Sequence, residues 1–219
     1  MNSADDCHTI EGCPGLYVDA FKGHFLKKTV CKENIFILSH YHADHYQQLP
    51  REHKYRGPAQ IHCTTITANL LRQVHQVPSE LVVAHDYGVP FPYNNNNNNN
   101  TVVTITFYDA HHCPGAAIIL FEERNDDDDD GKVVVHIHTG DMRYNEKLFA
   151  TYPRLSAAIN NNNSIDTVYL DTTYSHPKHD FVPQKEAIQD IASQVEQELC
   201  SDNNNDNTTL ILLSCYSII

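Results

Sequence analysis

Residues 40–45 read HYHADH and follow directly on Ser39 and the apolar run 35–38, IFIL. The chain holds 15 histidines, so clustering alone decides nothing. Spacing does. The run 35–38 predicts a buried strand, which puts Ser39 and its successors at a strand end, where loop side chains converge on one point held by a rigid scaffold. Alternate residues of an extended loop point the same way, so His40 and His42 can grip one ion while Asp44 and His45 turn toward a second. Mixed imidazole and carboxylate donors suit zinc, with manganese or iron as substitutes.

Outward from that loop, short β-branched runs recur at 102–108, 116–121, 132–138, 165–170 and 209–213, each bounded by polar or turn residues, and all predict strands. Helical spacing shows in Ile66, Leu70, Val74 and Val77, and again in Ala187, Ile188, Ile191, Ala192, Val195 and Leu199 after Pro183. Strands with interspersed helices predict an α/β fold of layered sheets flanked by helices. Asparagine- and aspartate-rich tracts at 94–100, 125–131, 160–163 and 202–207 read as loop insertions, since they carry too little apolar surface to offset the entropy of ordering.

At 219 residues and 41% hydrophobic content the chain can fill one domain core. Its net charge of −13 opposes whole-surface attraction to nucleic acid, yet suits a carboxylate-bearing cation site. Seven cysteines without a C-x-x-C pair argue against a disulfide framework or a cysteine-rich zinc finger. The opening MNSADDCHTIEG has neither a basic nor an apolar signal region, and no stretch is long and apolar enough for a membrane span, so an intracellular protein is expected.

Together with HYHADH, three further blocks carry a resemblance: YDAHHCPGAAIILF (108–121), HTGDMRYN (138–145) and VYLDTTYSHPKHDFVPQKEAI (168–188). In this order they resemble the DNA cross-link repair nucleases, the Artemis-like, DNA-processing branch of the β-CASP group of the metallo-β-lactamase fold. The likeness runs from about residue 16 to residue 217. It implies an αββα sandwich with metals at its edge: a segment 1–15, then a metallo-β-lactamase domain over 16–219 that is incomplete at its C-terminus and lacks the β-CASP region.

Position by position, the resemblance implies that His40, His42 and His112 bind a first metal, that Asp44 and His45 bind a second, and that Asp141 bridges them. Asp19, in YVDAF, would fix ligand geometry from behind. Asp171 would orient a ligand histidine or lie beside the metals, and Asp44, Asp141 and Asp171 are the candidate catalytic carboxylates. His112 is preferred to its neighbour His111 because it directly precedes Cys113, Pro114 and Gly115. His136 and His138 alternate along a strand and are assigned to core or supporting roles, and Cys113 to a tight turn that aims His112. His24, His53, His62, His75, His85, His176 and His179 are read as surface or packing residues.

The function implied is a metal-dependent DNA nuclease, acting 5′ to 3′ from DNA 5′ ends in interstrand cross-link repair, with two divalent ions, zinc or alternatively manganese, and a nuclear location. Because the later family motifs are missing, an alternative is a truncated, catalytically inactive metal-binding or interaction protein. A small-molecule thioester or lactam hydrolase on the same fold is a more distant reading.

Overall fold

The computed structural model describes residues 6–52, 54–55, 57–94, 101–125, 132–160, 165–201 and 210–212. They fall into two compact units, the first reaching Asp171 and the second covering 172–218. In the first unit, strands β1 (Leu16–Val18), β2 (Ile35–Ile37), β3 (Gln60–Thr64) and β4 (Val82–His85) form an all-parallel sheet in that order. A second sheet has the order β5 (Phe91–Asn94), β6 (Thr101–Asp109), β7 (Ala117–Asn125), β8 (Val133–His138) and β9 (Thr167–Tyr169), with every pair antiparallel except β8 and β9.

Alternation along the strands builds the layers. In β2 and the residue after it, Ile37 faces the second sheet, whereas Phe36 and Leu38 face outward onto helix α1 (Thr65–Gln73), where Ala68 and Leu71 are fully buried. In β7, Ala117, Ile119 and Phe121 meet Val18 and Ile37 between the sheets. Ile118 and Leu120 face the other way, onto Leu155 of helix α3 (Pro153–Asn160), which follows α2 (Glu146–Thr151). Strands buried on both faces read as unbroken apolar runs, as IFIL and AAIILF do. The result in this unit is helix, sheet, sheet, helix: the αββα layering that the resemblance implies.

In the first unit six strands or helices match the sequence expectations to within a few residues: β2, β6, β7, β8, β9 and α1. The sequence patterns do not predict strands β1, β3, β4 and β5: all are only three to five residues long, and β3, β4 and β5 also mix polar with apolar residues. The tracts 95–100, 126–131, 161–164 and 202–207 lie outside the described residues, as do residues 209 and 213; Leu210–Leu212, expected as a strand, are in neither helix nor strand. In the second unit, α4 (Gln184–Ser201) forms where its spacing predicts, with Ile188, Ile191 and Leu199 exposed.

Candidate metal centre

Every candidate residue of the first unit stands at one edge of the sandwich. Asp19 follows β1, residues 39–45 follow β2, residues 110–116 join β6 to β7, Asp141 follows β8 and Asp171 follows β9. The edge is pinned across the two sheets by the Ala117 N–H, which donates to the Ser39 carbonyl at 3.0 Å. Gly140 lies against the same spot at φ +53°, and a Cβ there would stand 3.0 Å from Ser39 Cβ. Only a residue without a side chain brings Asp141 this close to the loop after β2.

Asp19 organises the ligand loop from behind. Its buried carboxylate accepts from the Ser39 N–H at 2.8 Å, from the Ser39 hydroxyl at 2.6 Å and from His45 Nδ1 at 2.8 Å. The Ser39 hydroxyl has one proton and gives it to Asp19, so its contact with His40 Nδ1 at 3.0 Å has the ring N–H as donor. Both histidines are thereby fixed with Nδ1 protonated, leaving His40 Nε2 and His45 Nε2 turned inward.

Those nitrogens meet others. His42 Nδ1 lies 3.0 Å from His40 Nε2 and 3.1 Å from His112 Nε2. One ring nitrogen cannot satisfy two such neighbours with a single proton, and His42 Nε2 is buried without a hydrogen-bond partner. Donors around a tetrahedral zinc bound at about 2.0–2.1 Å sit roughly 3.3 Å apart, close to these separations. A divalent cation therefore fits where protons do not. Asp141 faces both sides of the site: Oδ2 is 3.6 Å from His112 Nε2 and 3.8 Å from His40 Nε2, while Oδ1 is 3.4 Å from His45 Nε2. Asp44 Oδ2 lies 3.7 Å from His45 Nε2 on a largely exposed side chain.

Electrostatics follow from that packing. Burial, and then His45, push the His40 imidazole down to about 3, so its lone pair stays free at neutral pH. Burial alone would also depress His45, but Asp19 and Asp141 override it and hold the ring up at about 10. The same contact runs the other way: burial would raise the Asp19 carboxyl, and His45 with Ser39 holds it well below its usual range. A cation at His45 Nε2 would take the place of a proton, as metal binding to histidine does generally.

Beside these groups a cavity of about 220 Å³ is lined by Asp19, Asp44, His45, His138, Asp141 and Asp171, among others. Asp171 Oδ2 accepts weakly from the Met142 N–H at 3.4 Å, just past Asp141.

Comparison with known proteins gives no matching family model. Over 183 residues, 84% of this chain, it is 32% identical to the DNA cross-link repair protein pso2/snm1 of Schizosaccharomyces pombe and 33% identical to the DNA cross-link repair protein SNM1 of Arabidopsis thaliana. The chain is a homologue of the Pso2/SNM1 DNA cross-link repair proteins. It spans 29% and 32% of the length of those two relatives. Among solved structures, the Rm3 metallo-β-lactamase aligns with a TM-score of 0.39 at 15% identity, covering 71% of this chain and 68% of that one.

In this Pso2/SNM1 homologue the structure brings His40, His42, His45, His112 and Asp141 together, with Asp19 behind them, Asp44 at the rim and Asp171 in the adjoining cavity. His111 is exposed and turned toward Asp109, with Nε2 at 3.9 Å from its carboxylate. His138 supports the site: its Nδ1 accepts from the Gly140 N–H at 3.0 Å and its ring stacks on Tyr169. One contributor escaped the sequence reading: Ser39, just before the H-x-H-x-D-H block, has no role there. His75, read as a surface or packing residue, is a buried brace, its Nε2 donating to the Leu49 carbonyl at 2.9 Å and its Nδ1 contacting the Tyr41 hydroxyl at 3.1 Å. A polar residue at a helical C-terminus is the only signal His75 offers.

Proposed function

We propose that the chain is a metal-dependent phosphodiesterase that cuts DNA, working from 5′ ends in the 5′ to 3′ direction during interstrand cross-link repair in the nucleus. The observation that supports this best is Asp141, whose two oxygens face two separate sets of imidazole nitrogens, in a chain whose relatives are named DNA cross-link repair proteins. His40, His42 and His112 with Asp141 Oδ2 would hold one divalent cation, zinc or manganese, and Asp44 and His45 with Asp141 Oδ1 a second. Bound cations would supply Lewis-acid polarisation of a phosphoryl oxygen and an acidified water.

The chain's own groups do the rest. Asp19 and Ser39 hold the His40 and His45 rings in the tautomers that present Nε2. His138 and Gly140 set the backbone from which Asp141 reaches both sides. Among the described residues, the cavity beside the cluster is lined by four carboxylates and by no lysine or arginine. A phosphate would be repelled from it until those charges are offset, so occupancy by cations gates entry of the substrate. Arg143 is a positive group near His112, where burial is the larger cause of a lowered pKa. Its guanidinium would contact a non-bridging phosphate oxygen. Asp171, on the cavity wall, would take a proton from the attacking water.

The test is release of nucleotides from 5′-phosphorylated, 3′-labelled single strands with zinc or manganese. The purified chain shortens them and Asp141→Ala does so at least about a hundredfold more slowly. Equal release by both proteins overturns the proposal.

A further inference from the structure

Cys113 has so far only a structural assignment, as part of the turn that aims His112. That turn is held firmly. The Gly115 carbonyl accepts from the Thr64 and Thr67 hydroxyls at 2.7 and 3.1 Å, and the Ala116 N–H donates to the Cys113 carbonyl at 3.0 Å. Gly115 itself sits at φ +88°, where a Cβ would come within 2.8 Å of Thr67 Oγ1. What the turn presents is a free, half-buried thiol. Donor atoms of Cys113, His40, His42 and His112 all lie within 4.8 Å of one another, a set that includes every histidine of the first cation site; Asp141 falls in a second set, with His40 and His45.

We propose that Cys113 is an additional protein ligand of the three-histidine site, competing with Asp141 for the fourth position around a zinc-class cation. This rests on the reading of the cluster as a metal centre. Three imidazoles and a thiolate complete a tetrahedron for zinc or cobalt(II), whereas manganese prefers oxygen donors. Asp141 spans both sides of the site, so its withdrawal toward His45 leaves the first cation short of one donor, and the sulfur on the rigid turn is at hand to replace it. Coordination exchanges the thiol proton for the metal: the S–H bond breaks, the sulfur lone pair forms the bond to the cation, and the proton leaves to solvent. The closed arrangement has no open coordination position, so it is a storage state of the site, selective for zinc over manganese.

The test is optical, with cobalt(II) added to the metal-stripped full chain. The expected spectrum combines visible d–d bands with a thiolate-to-cobalt charge-transfer band in the near ultraviolet. In Cys113→Ser the charge-transfer band disappears while the d–d bands remain, and zinc affinity falls by about tenfold with manganese affinity unmoved. Cys63→Ser, which removes a buried thiol elsewhere, keeps the band, and Cys113→Ala with an unchanged circular dichroism spectrum guards against misfolding. Cobalt bound with d–d bands but no charge-transfer band in the wild type overturns the role of Cys113 and leaves the metal centre standing. Absence of d–d bands in every protein overturns both.

Discussion

Asp19 illustrates how much a single carboxylate decides. It accepts hydrogen bonds from Ser39 and His45, and through Ser39 it sets the ring of His40, so two inward-facing nitrogens depend on it. Asp19→Asn keeps the shape but places an amide donor against these donors, and should weaken zinc binding about 10- to 100-fold. Competition with a chromogenic chelator measures it, and a change under threefold would contradict the assignment. Gly140 carries a different constraint, close approach in the left-handed region. Gly140→Ala should cost about 1–3 kcal/mol in urea unfolding, and a neutral result would show that the edge can relax. At this scale the ligand types were legible, because the H-x-H-x-D-H spacing limits what those side chains can jointly do. Ser39 was not, since nothing in its neighbourhood distinguishes a serine that relays a carboxylate from one that ends a strand.

Among elements, the loop after β2 is braced from α1, not only from its own strand. His75, just beyond α1, ties the Leu49 carbonyl and the Tyr41 hydroxyl, and Tyr41 stacks on Tyr46. His75→Leu leaves a buried carbonyl and a buried hydroxyl without these partners, and a loss of about 1–3 kcal/mol in chemical denaturation is expected. A loss below about 0.5 kcal/mol would mean the loop stands without the brace. Elements with both faces buried, β2 and β7, were legible as apolar runs. Strands β3 and β4 were not, because QIHCT and VVAH mix histidine with apolar residues. Those histidines have a structural reason: His62 Nδ1 and His85 Nε2 meet at 2.9 Å, and His85 stacks on Phe91 with ring centroids 3.6 Å apart.

That pair links the two sheets and gives the whole first unit a pH response. Burial pushes His62 and His85 down to about 4 each. In the unfolded chain each protonates near 6.5, so between about 6.5 and 4 the unfolded state binds more protons and stability falls as pH falls. His45, raised to about 10, acts in the opposite sense and above that window: its contribution is complete below 6.5 and is lost as pH climbs toward 10. Urea midpoints of the metal-stripped chain should therefore drop from pH 6.5 to pH 4.5, and less steeply in His62→Leu. An equal slope in both proteins would remove the pair from the explanation. At this scale the α/β layering followed from the apolar runs and the αββα order from the resemblance, whereas the pairing of the sheets through His62, His85 and Phe91 depends on contacts between distant segments that no local pattern encodes.

The proposed function stands on two cations shared through Asp141. Equilibrium dialysis of the purified chain against zinc, with metal counted by elemental analysis, tests it most directly. About two equivalents are expected for the wild type, and one or fewer for Asp141→Ala. Wild type and variant binding the same amount, or neither binding any, would contradict it.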